Sequence, residues 1–126
     1  MIQPERRMVY VAGAYSGTNV LDIFDNMRRG MSMSARLFKD GFSPFCPWLD
    51  YHYLLLLPES SVTMEMFYQY SVDFLGVCDA VFVVNNPRNE KSSGVRNEVE
   101  LAELKSIPVF TDYDKLLEWA STPVAL

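Results

Sequence analysis

The chain has 126 residues, of which 49% are hydrophobic and 21% are charged. These proportions are ordinary for one globular domain that is large enough to bury a core. The net charge of −5 at pH 7 argues against DNA or RNA as a partner, because a groove for a polyanion needs a basic surface.

The cysteines and the apolar runs indicate the cellular setting. Cys46 and Cys78 lie in apolar surroundings without metal-type spacing, which is typical of reduced core thiols in a cytoplasmic protein. The longest apolar cluster, residues 53–58, is too short to span a bilayer, and nothing at the N-terminus resembles a signal peptide. His52 is the only histidine. We therefore expect no membrane contact, no metal and no cofactor.

Apolar runs alternate with amphipathic segments after a short N-terminal arm, residues 1–7. Strands that alternate with helices form a parallel sheet with right-handed crossovers. The predicted fold is α/β: a single domain over residues 1–126, built as a flavodoxin- or Rossmann-like three-layer sandwich with a mostly parallel sheet of four or five strands. The predicted strands are 8–12, 42–47, 79–84 and 107–110, and the predicted helices are 20–40, 62–77, 93–105 and 114–120.

The first predicted helix is the longest. Its apolar residues recur at helical spacing, and Met27, Met31 and Met33 indicate core filling. Gly41 supplies the C-terminal stop.

An aromatic cluster follows the second strand, at the edge where open α/β sheets bind ligands. It contains Trp48, Tyr51, His52 and Tyr53. Such rings can stack on a flat ligand. His52 can either hydrogen-bond that ligand or pack within the fold, and both roles stay open.

Two loops combine glycine with serine at the start of a helix. Gly13 to Asn19 follows the first strand, and loops of this form cradle phosphate in many α/β folds, although their glycines also suit a plain turn. Ser92 or Ser93 would cap the helix after the third strand, and Gly94 lets its backbone approach a ligand. The free N–H groups of that first turn favour an anion.

Glu98 lies about one turn inside the same helix. At about 100° per residue it flanks the apolar stripe of Val95, Val99 and Ala102, whereas Glu100 points to solvent. A carboxylate beside an apolar stripe and an anion site is placed for chemistry. A first-turn glutamate is also favoured by the helix dipole alone, so both interpretations stay open.

Three segments together resemble the nucleoside 2-deoxyribosyltransferase superfamily, which includes nucleotide N-hydrolases and small uncharacterised relatives. They are residues 10–17 (YVAGAYSG), 75–81 (LGVCDAV) and 92–98 (SSGVRNE) with Ala102. Gly41 with Pro44 and Pro47 resembles the second strand of that superfamily. The match covers most of residues 9–109.

The resemblance implies a role for each matching residue. Glu98 would be the nucleophile that attacks the anomeric carbon, and Tyr10 would orient that carboxylate. Ser71 stands where the superfamily has an acidic aspartate, and Asp73, Asp50 and Asp79 are the candidate replacements, with Asp73 retained among the catalytic residues. The substrate would contact Gly13, Tyr15, Ser16, Gly17, Trp48, His52, Ser71, Ser92 and Gly94, with Tyr15, Trp48 and Tyr51 walling the base.

The expected function is cleavage or transfer of the N-glycosidic bond of a nucleoside or deoxynucleoside, or of its 5′-monophosphate. Relatives complete each site with a neighbouring subunit, so a homodimer or higher homo-oligomer is expected. A nucleotide-binding or sensing module without catalysis is the alternative, because Ser71 replaces the aspartate. A structural or partner-binding subunit is a third possibility.

Overall fold

Four parallel strands form the sheet, in the order β2-β1-β3-β4. The computed structural model describes residues 6–121, apart from the side chain of Glu59, so most of the predicted N-terminal arm lies outside the described residues. The α/β class and the parallel sheet predicted from the sequence are confirmed. The strands are β1 (Met8–Ala12), β2 (Ser43–Phe45), β3 (Ala80–Val83) and β4 (Val109–Phe110).

Helices cover both faces of this sheet. Short 3₁₀ helices at Pro47–Tyr51, Glu59–Ser61 and Pro87–Lys91 interrupt the loops, and the sequence patterns did not predict them. None of the helices within residues 6–121 is both long and apolar enough to cross a membrane. The helices are α1 (Val20–Lys39), α2 (His52–Leu56), α3 (Met64–Leu75), α4 (Ser93–Leu104) and α5 (Tyr113–Ser121).

Strand β1 is apolar throughout because both of its faces are covered. Val9 and Val11 belong to one core cluster, together with Leu37 of α1 and Leu116 of α5. The alternate residues Tyr10 and Ala12 belong to a second cluster with Leu75 of α3 and Ala102 of α4. A strand buried on both faces reads as a continuous apolar run, which is why the sequence marks it so clearly.

The apolar stripe of α1 does not face the core. Phe24 and Phe38 are 52% and 64% exposed, and Met31 is also exposed, so the core role predicted for Met31 is wrong. Met27 and Met33 do pack, partly buried, against the core. The buried positions of α1 are Leu37 and three small or polar residues, Asn26, Gly30 and Ser34.

Trp48 explains why this face of α1 is the buried one. A Cβ atom on Gly30 would lie 2.3 Å from Cε3 of Trp48, so only a glycine lets the indole ring rest on the helix backbone. The ring is 1% exposed, and its Nε1 donates a hydrogen bond to the carbonyl oxygen of Ala14. Trp48 therefore joins α1 to the loop after β1.

Glycine and threonine set two helix ends. Gly41 has a φ of +99°, a left-handed conformation that ends α1 as predicted. Helix α3 begins at Met64, two residues later than the sequence pattern predicted, because Thr63 is its N-cap. The Thr63 hydroxyl accepts a hydrogen bond from the backbone N–H of Met66.

Candidate functional site

A cavity of about 980 Å³ lies at the carboxyl ends of the strands. Strands β2 and β3 lie on opposite sides of β1, so the chain leaves the sheet in opposite directions there and opens a crevice. Of the site residues predicted from the sequence, Asp73, Asp79, His52 and Tyr51 do not line this cavity. Those that it brings together are Tyr10, Gly13, Tyr15, Ser16, Gly17, Trp48, Ser71, Ser92, Gly94 and Glu98.

Helix α4 positions Glu98. The hydroxyl of Ser92 accepts a hydrogen bond from the backbone N–H of Val95, so Ser92 rather than Ser93 is the cap. Side chains on a helix lean towards its N-terminus, which brings the Glu98 carboxylate back to the first turn. A Cβ atom on Gly94 would lie 3.9 Å from Glu98 Oε1, so the carboxylate lies beside the backbone of this first turn.

The Glu98 carboxylate is shielded from water and incompletely satisfied. Although the residue as a whole is only partly buried, its Oε2 atom is buried and has no hydrogen-bond partner among the described residues. Burial raises the pKa of Glu98 to about 7, and a hydrogen bond from the Tyr10 hydroxyl offsets part of that rise. The site therefore holds a carboxylate whose lone pairs are available to a bound molecule.

Tyr10 connects Glu98 to α3. The Tyr10 side chain is 1% exposed, and its pKa is raised by burial and by the neighbouring Glu98 charge, so the phenol stays protonated and donates. The Ser71 hydroxyl in turn hydrogen-bonds Tyr10. Ser71 thus supports the orientation of Tyr10, and its hydroxyl is not a carboxylic acid that can protonate a substrate.

The structure does not bring Asp73 to the cavity. Asp73 is exposed, and its carboxylate accepts a hydrogen bond of 2.7 Å from Nε2 of Gln69. Two residues along a helix correspond to about 200°, so Ser71 and Asp73 face opposite ways. Asp79 is also remote, because it accepts a hydrogen bond from the backbone N–H of Met8, at the amino end of β1. Neither aspartate can act beside Glu98 in this arrangement.

Of the three aspartates considered as replacements, Asp50 is the one that lines the cavity. It is 8% exposed, and burial raises the pKa of its carboxyl, partly offset by a hydrogen bond from the Tyr15 hydroxyl and by the nearby His52. Burial, and then the charge and hydrogen bond of Asp50, raise the pKa of Tyr15 to about 12. Tyr15 therefore donates the hydrogen bond and Asp50 accepts it.

The aromatic wall differs from the one expected. His52 is exposed and lies outside the cavity, with Nδ1 against the carbonyl oxygen of Leu49. Trp48 forms part of the floor but offers no open ring face, and Tyr51 lines a separate groove. The accessible rings are Tyr15 together with Phe67 and Tyr68 of α3.

Two cations reach the cavity from the 3₁₀ helix Pro87–Lys91, and the sequence patterns missed both. Arg88 is bound to Asp22 at 3.0 Å and to Asp25 at 2.7 Å, so its charge is already compensated. Lys91 makes no ion pair with the residues that the structure describes. It is therefore the cation that can meet an anionic substrate.

Buried amides hold the loops around the cavity. Nδ2 of Asn26 donates to the carbonyl oxygens of Tyr15 and Ser16, both at 3.0 Å. Oδ1 of Asn89 accepts from the backbone N–H of Ala14 at 2.9 Å, which ties the loop after β3 to the loop after β1. In the described part of the chain, His, Cys, Asp and Glu do not gather in a group of three that would hold a metal ion.

Glu98→Gln should stabilise the protein at pH 8. The pKa of Glu98 is about 7 when folded against 4.5 for the ordinary side chain, so the folded protein binds more protons and loses stability as the pH rises from about 4.5 to 7. The neutral amide avoids this loss. We expect a gain on the order of 2 kcal/mol in the free energy of unfolding by urea at pH 8, and no gain at pH 4.

The control for this measurement is Glu100→Gln, which removes an exposed carboxylate from the same helix and should give no pH-dependent gain. Equal stabilities of Glu98→Gln and the parent at pH 8 would show that the Glu98 carboxylate is solvated.

Comparison with known proteins supports a family assignment. A search of curated proteins finds no match to the chain. The family model described as "Domain of unknown function (DUF7768)" matches residues 7–112, a range that runs from β1 to β4 and includes all the cavity residues named above. The chain therefore belongs to the DUF7768 family.

Proposed function

We propose that this protein cleaves or transfers the N-glycosidic bond of a nucleoside or nucleoside 5′-monophosphate, with Glu98 as the nucleophile. The observation that carries the proposal is the state of the Glu98 carboxylate. It faces the cavity, accepts a hydrogen bond from the Tyr10 hydroxyl, and leaves Oε2 buried without a partner in the part of the chain that the structure describes. A buried polar atom without a partner is costly, and such costs cluster at functional sites.

The chemistry requires such a group. Breaking the bond between C1′ and the base nitrogen builds positive charge on the sugar, and an adjacent carboxylate stabilises that charge. Oε2 would then bond to C1′ as the base departs with the electron pair of the broken bond. Water would release the sugar in a hydrolase, whereas a second base would accept it in a transferase. The Tyr10 hydrogen bond would keep the carboxylate in one orientation throughout.

The same cavity also borders groups that suit a 5′-phosphate. Backbone N–H groups of the first turn of α4 and the loop at Ser16 and Gly17 both line it, and Lys91, which makes no ion pair with the described residues, adds a positive charge. The overall charge of −5 opposes a polyanion but not one phosphate bound at such a point.

Glu98→Ala should abolish base release while the protein still folds. We would incubate the parent and the variant with a panel of nucleosides and 5′-monophosphates, both deoxy and ribo, with and without a second base, and measure free base by chromatography. The parent should release or exchange base, and the variant should lose about 10³-fold or more in rate, because no carboxylate then captures the sugar. Glu100→Ala is the matched control and should retain activity. Full activity of Glu98→Ala would refute the nucleophile assignment.

Lys91→Ala should weaken the use of phosphorylated substrates selectively. A charge-assisted contact to phosphate contributes about 1.5–3 kcal/mol, so kcat/KM for a 5′-monophosphate should fall roughly tenfold or more. The value for the unphosphorylated nucleoside should stay the same. Lys105→Ala removes another exposed lysine at the far end of α4 and serves as the control. A parallel fall for both substrates would contradict phosphate binding by Lys91.

A nucleotide-binding module without catalysis is the second candidate. The observation in its favour is that Ser71, which hydrogen-bonds Tyr10, cannot supply an acidic proton. This candidate requires saturable nucleotide binding, measured as a thermal shift, together with no release of base from any member of the panel.

We further propose that the exposed stripe of α1 pairs with the same stripe of a second copy. Phe24, Met31 and Phe38 are seven residues apart, so they lie in line along one side of the helix. This line is symmetric about Met31. Around a two-fold axis at Met31, two antiparallel helices would place each Phe24 against the partner's Phe38. A groove beside this stripe is lined by Phe24, Met31 and Tyr15. Because Tyr15 also lines the cavity, the second copy would border the site.

Met31→Asp should therefore convert a dimer into a monomer, because the axis would bring two buried charges together. Light scattering coupled to size-exclusion chromatography measures the change. Leu104→Asp places the same charge at an exposed leucine on α4 and should leave the dimer intact. A monomeric parent protein would contradict the pairing.

A further inference from the structure

The proposed cleavage leaves one chemical requirement unmet, and the inference drawn here rests on that proposed function. A base that departs with the electron pair of the N-glycosidic bond needs a proton, and a positioned acid contributes about 10²–10⁴-fold to such a step. Ser71 lacks an acidic proton, and Asp73 and Asp79 point away from the cavity. Another group must supply the proton.

Asp50 is a second buried carboxyl group in the same cavity as Glu98. It lies in the 3₁₀ helix Pro47–Tyr51, which is anchored two residues earlier by the Trp48 ring. The Tyr15 hydroxyl fixes its carboxyl by a hydrogen bond. Since Tyr15 also lines the cavity with an exposed ring, a base stacked on Tyr15 would lie beside Asp50.

The two carboxyl groups belong to segments that follow different strands. Asp50 follows β2 and Glu98 follows β3, and β1 lies between these strands. Both residues line the same cavity. An N-glycoside needs a nucleophile at C1′ and an acid at a ring nitrogen of the base, so the two carboxyl groups would act at different atoms.

We propose that Asp50 is the general acid that protonates the departing base. As the bond from C1′ to the base nitrogen breaks, its electron pair moves to the base, and the proton of the Asp50 carboxyl transfers to a ring nitrogen. Glu98 Oε2 forms the new bond to C1′. In the hydrolytic half-reaction a water molecule bonds to C1′, its proton returns to Asp50, and Glu98 leaves as a carboxylate. Each proton and electron pair is thereby accounted for.

The groups around Asp50 are consistent with this role. Tyr15 on the β1–α1 loop donates to it, and Tyr70 of α3, Cys46 and His52 are the other titratable groups in its surroundings. Burial raises the pKa of Asp50, so the carboxyl keeps its proton to a higher pH than an exposed aspartate. The reactive form holds one proton on Asp50 and none on Glu98, so kcat/KM should fall on the alkaline side as the pair loses its last proton.

Asp50→Asn should slow only substrates whose leaving group needs a proton. We would compare the preferred nucleoside or nucleotide with the 4-nitrophenyl 2-deoxyriboside that carries the same 5′ substituent, because nitrophenolate departs without protonation. We expect kcat/KM to fall about 10²–10⁴-fold for the natural substrate and less than tenfold for the nitrophenyl substrate. The alkaline limb should disappear. Asp73→Asn is the matched control, because it makes the same change at an exposed aspartate of α3.

Tyr15→Phe provides an independent measurement if Asp50→Asn does not fold. Removing the hydroxyl withdraws a hydrogen bond that favours the ionised carboxylate, so more of the protein holds the proton on Asp50 and kcat/KM at alkaline pH should rise. An unchanged alkaline rate would overturn the role of Asp50, as would equal losses for both substrates in Asp50→Asn or a selective loss in Asp73→Asn. If the parent protein turns over neither substrate, the proposed function fails and the role of Asp50 fails with it. Turnover by the parent without selectivity in the variant refutes the role of Asp50 alone.

Discussion

The packing of Trp48 between two glycines is the contact on which the rest of this site depends. Cβ atoms on Gly13 and Gly30 would lie 3.0 Å and 2.3 Å from the indole ring, so the ring is in direct contact with the backbone of both the β1 loop and α1. The Nε1 hydrogen bond to Ala14 then fixes the ring along its edge. Because protein interiors are close-packed, a side chain held this tightly has one position. Asp50 lies two residues further along the same 3₁₀ helix, so the packed ring also fixes the backbone that carries Asp50.

A network of buried hydrogen bonds centred on Asn26 also holds the loops around the cavity. Asn26 is fully buried, and its amide meets the carbonyl oxygens of Tyr15 and Ser16 while its Oδ1 accepts from Asn86 and Arg88. Leaving one buried partner of such a network unsatisfied costs about 1–3 kcal/mol, so the loops around the cavity have little freedom to rearrange. A site built this way is preorganised, and binding does not have to order it.

The fold was predictable to the extent that burial leaves a pattern in the sequence. Strand β1 lies between two covered faces and reads as an unbroken apolar run, so its bounds were predicted correctly. Helix α1 was also recognised, but its buried face was not, because Gly30 and Asn26 contact the core through a ring and a loop that lie far away in sequence. Periodicity records which residues are apolar, and here the apolar side of the helix is the exposed one.

The residues of the candidate site were likewise predictable only where local structure determines their positions. Glu98 and Tyr10 follow from local geometry, since a helix start and a buried strand fix where their side chains point. The choice between Asp50 and Asp73 depends on tertiary structure. Asp73 is closer in sequence to the expected position, yet the helix turns its side chain outward. Asp50 reaches the cavity through a 3₁₀ helix that the sequence patterns did not predict. Lys91 and Arg88 enter the cavity from a 3₁₀ helix for the same reason.

The electrostatics of the two carboxyl groups indicate how the site can favour a transition state over a substrate. Burial raises the pKa of Glu98 to about 7, because the charged form is poorly solvated in the cavity wall. Among the described residues, Tyr10 is the one whose hydrogen bond supports that carboxylate, and Oε2 has no partner there. In the proposed cleavage, positive charge would develop on the sugar, and the buried carboxylate would interact with it more strongly as the bond breaks. The low-dielectric surroundings that make ionised Glu98 costly in the folded protein are thus the ones that would make it effective in the reaction.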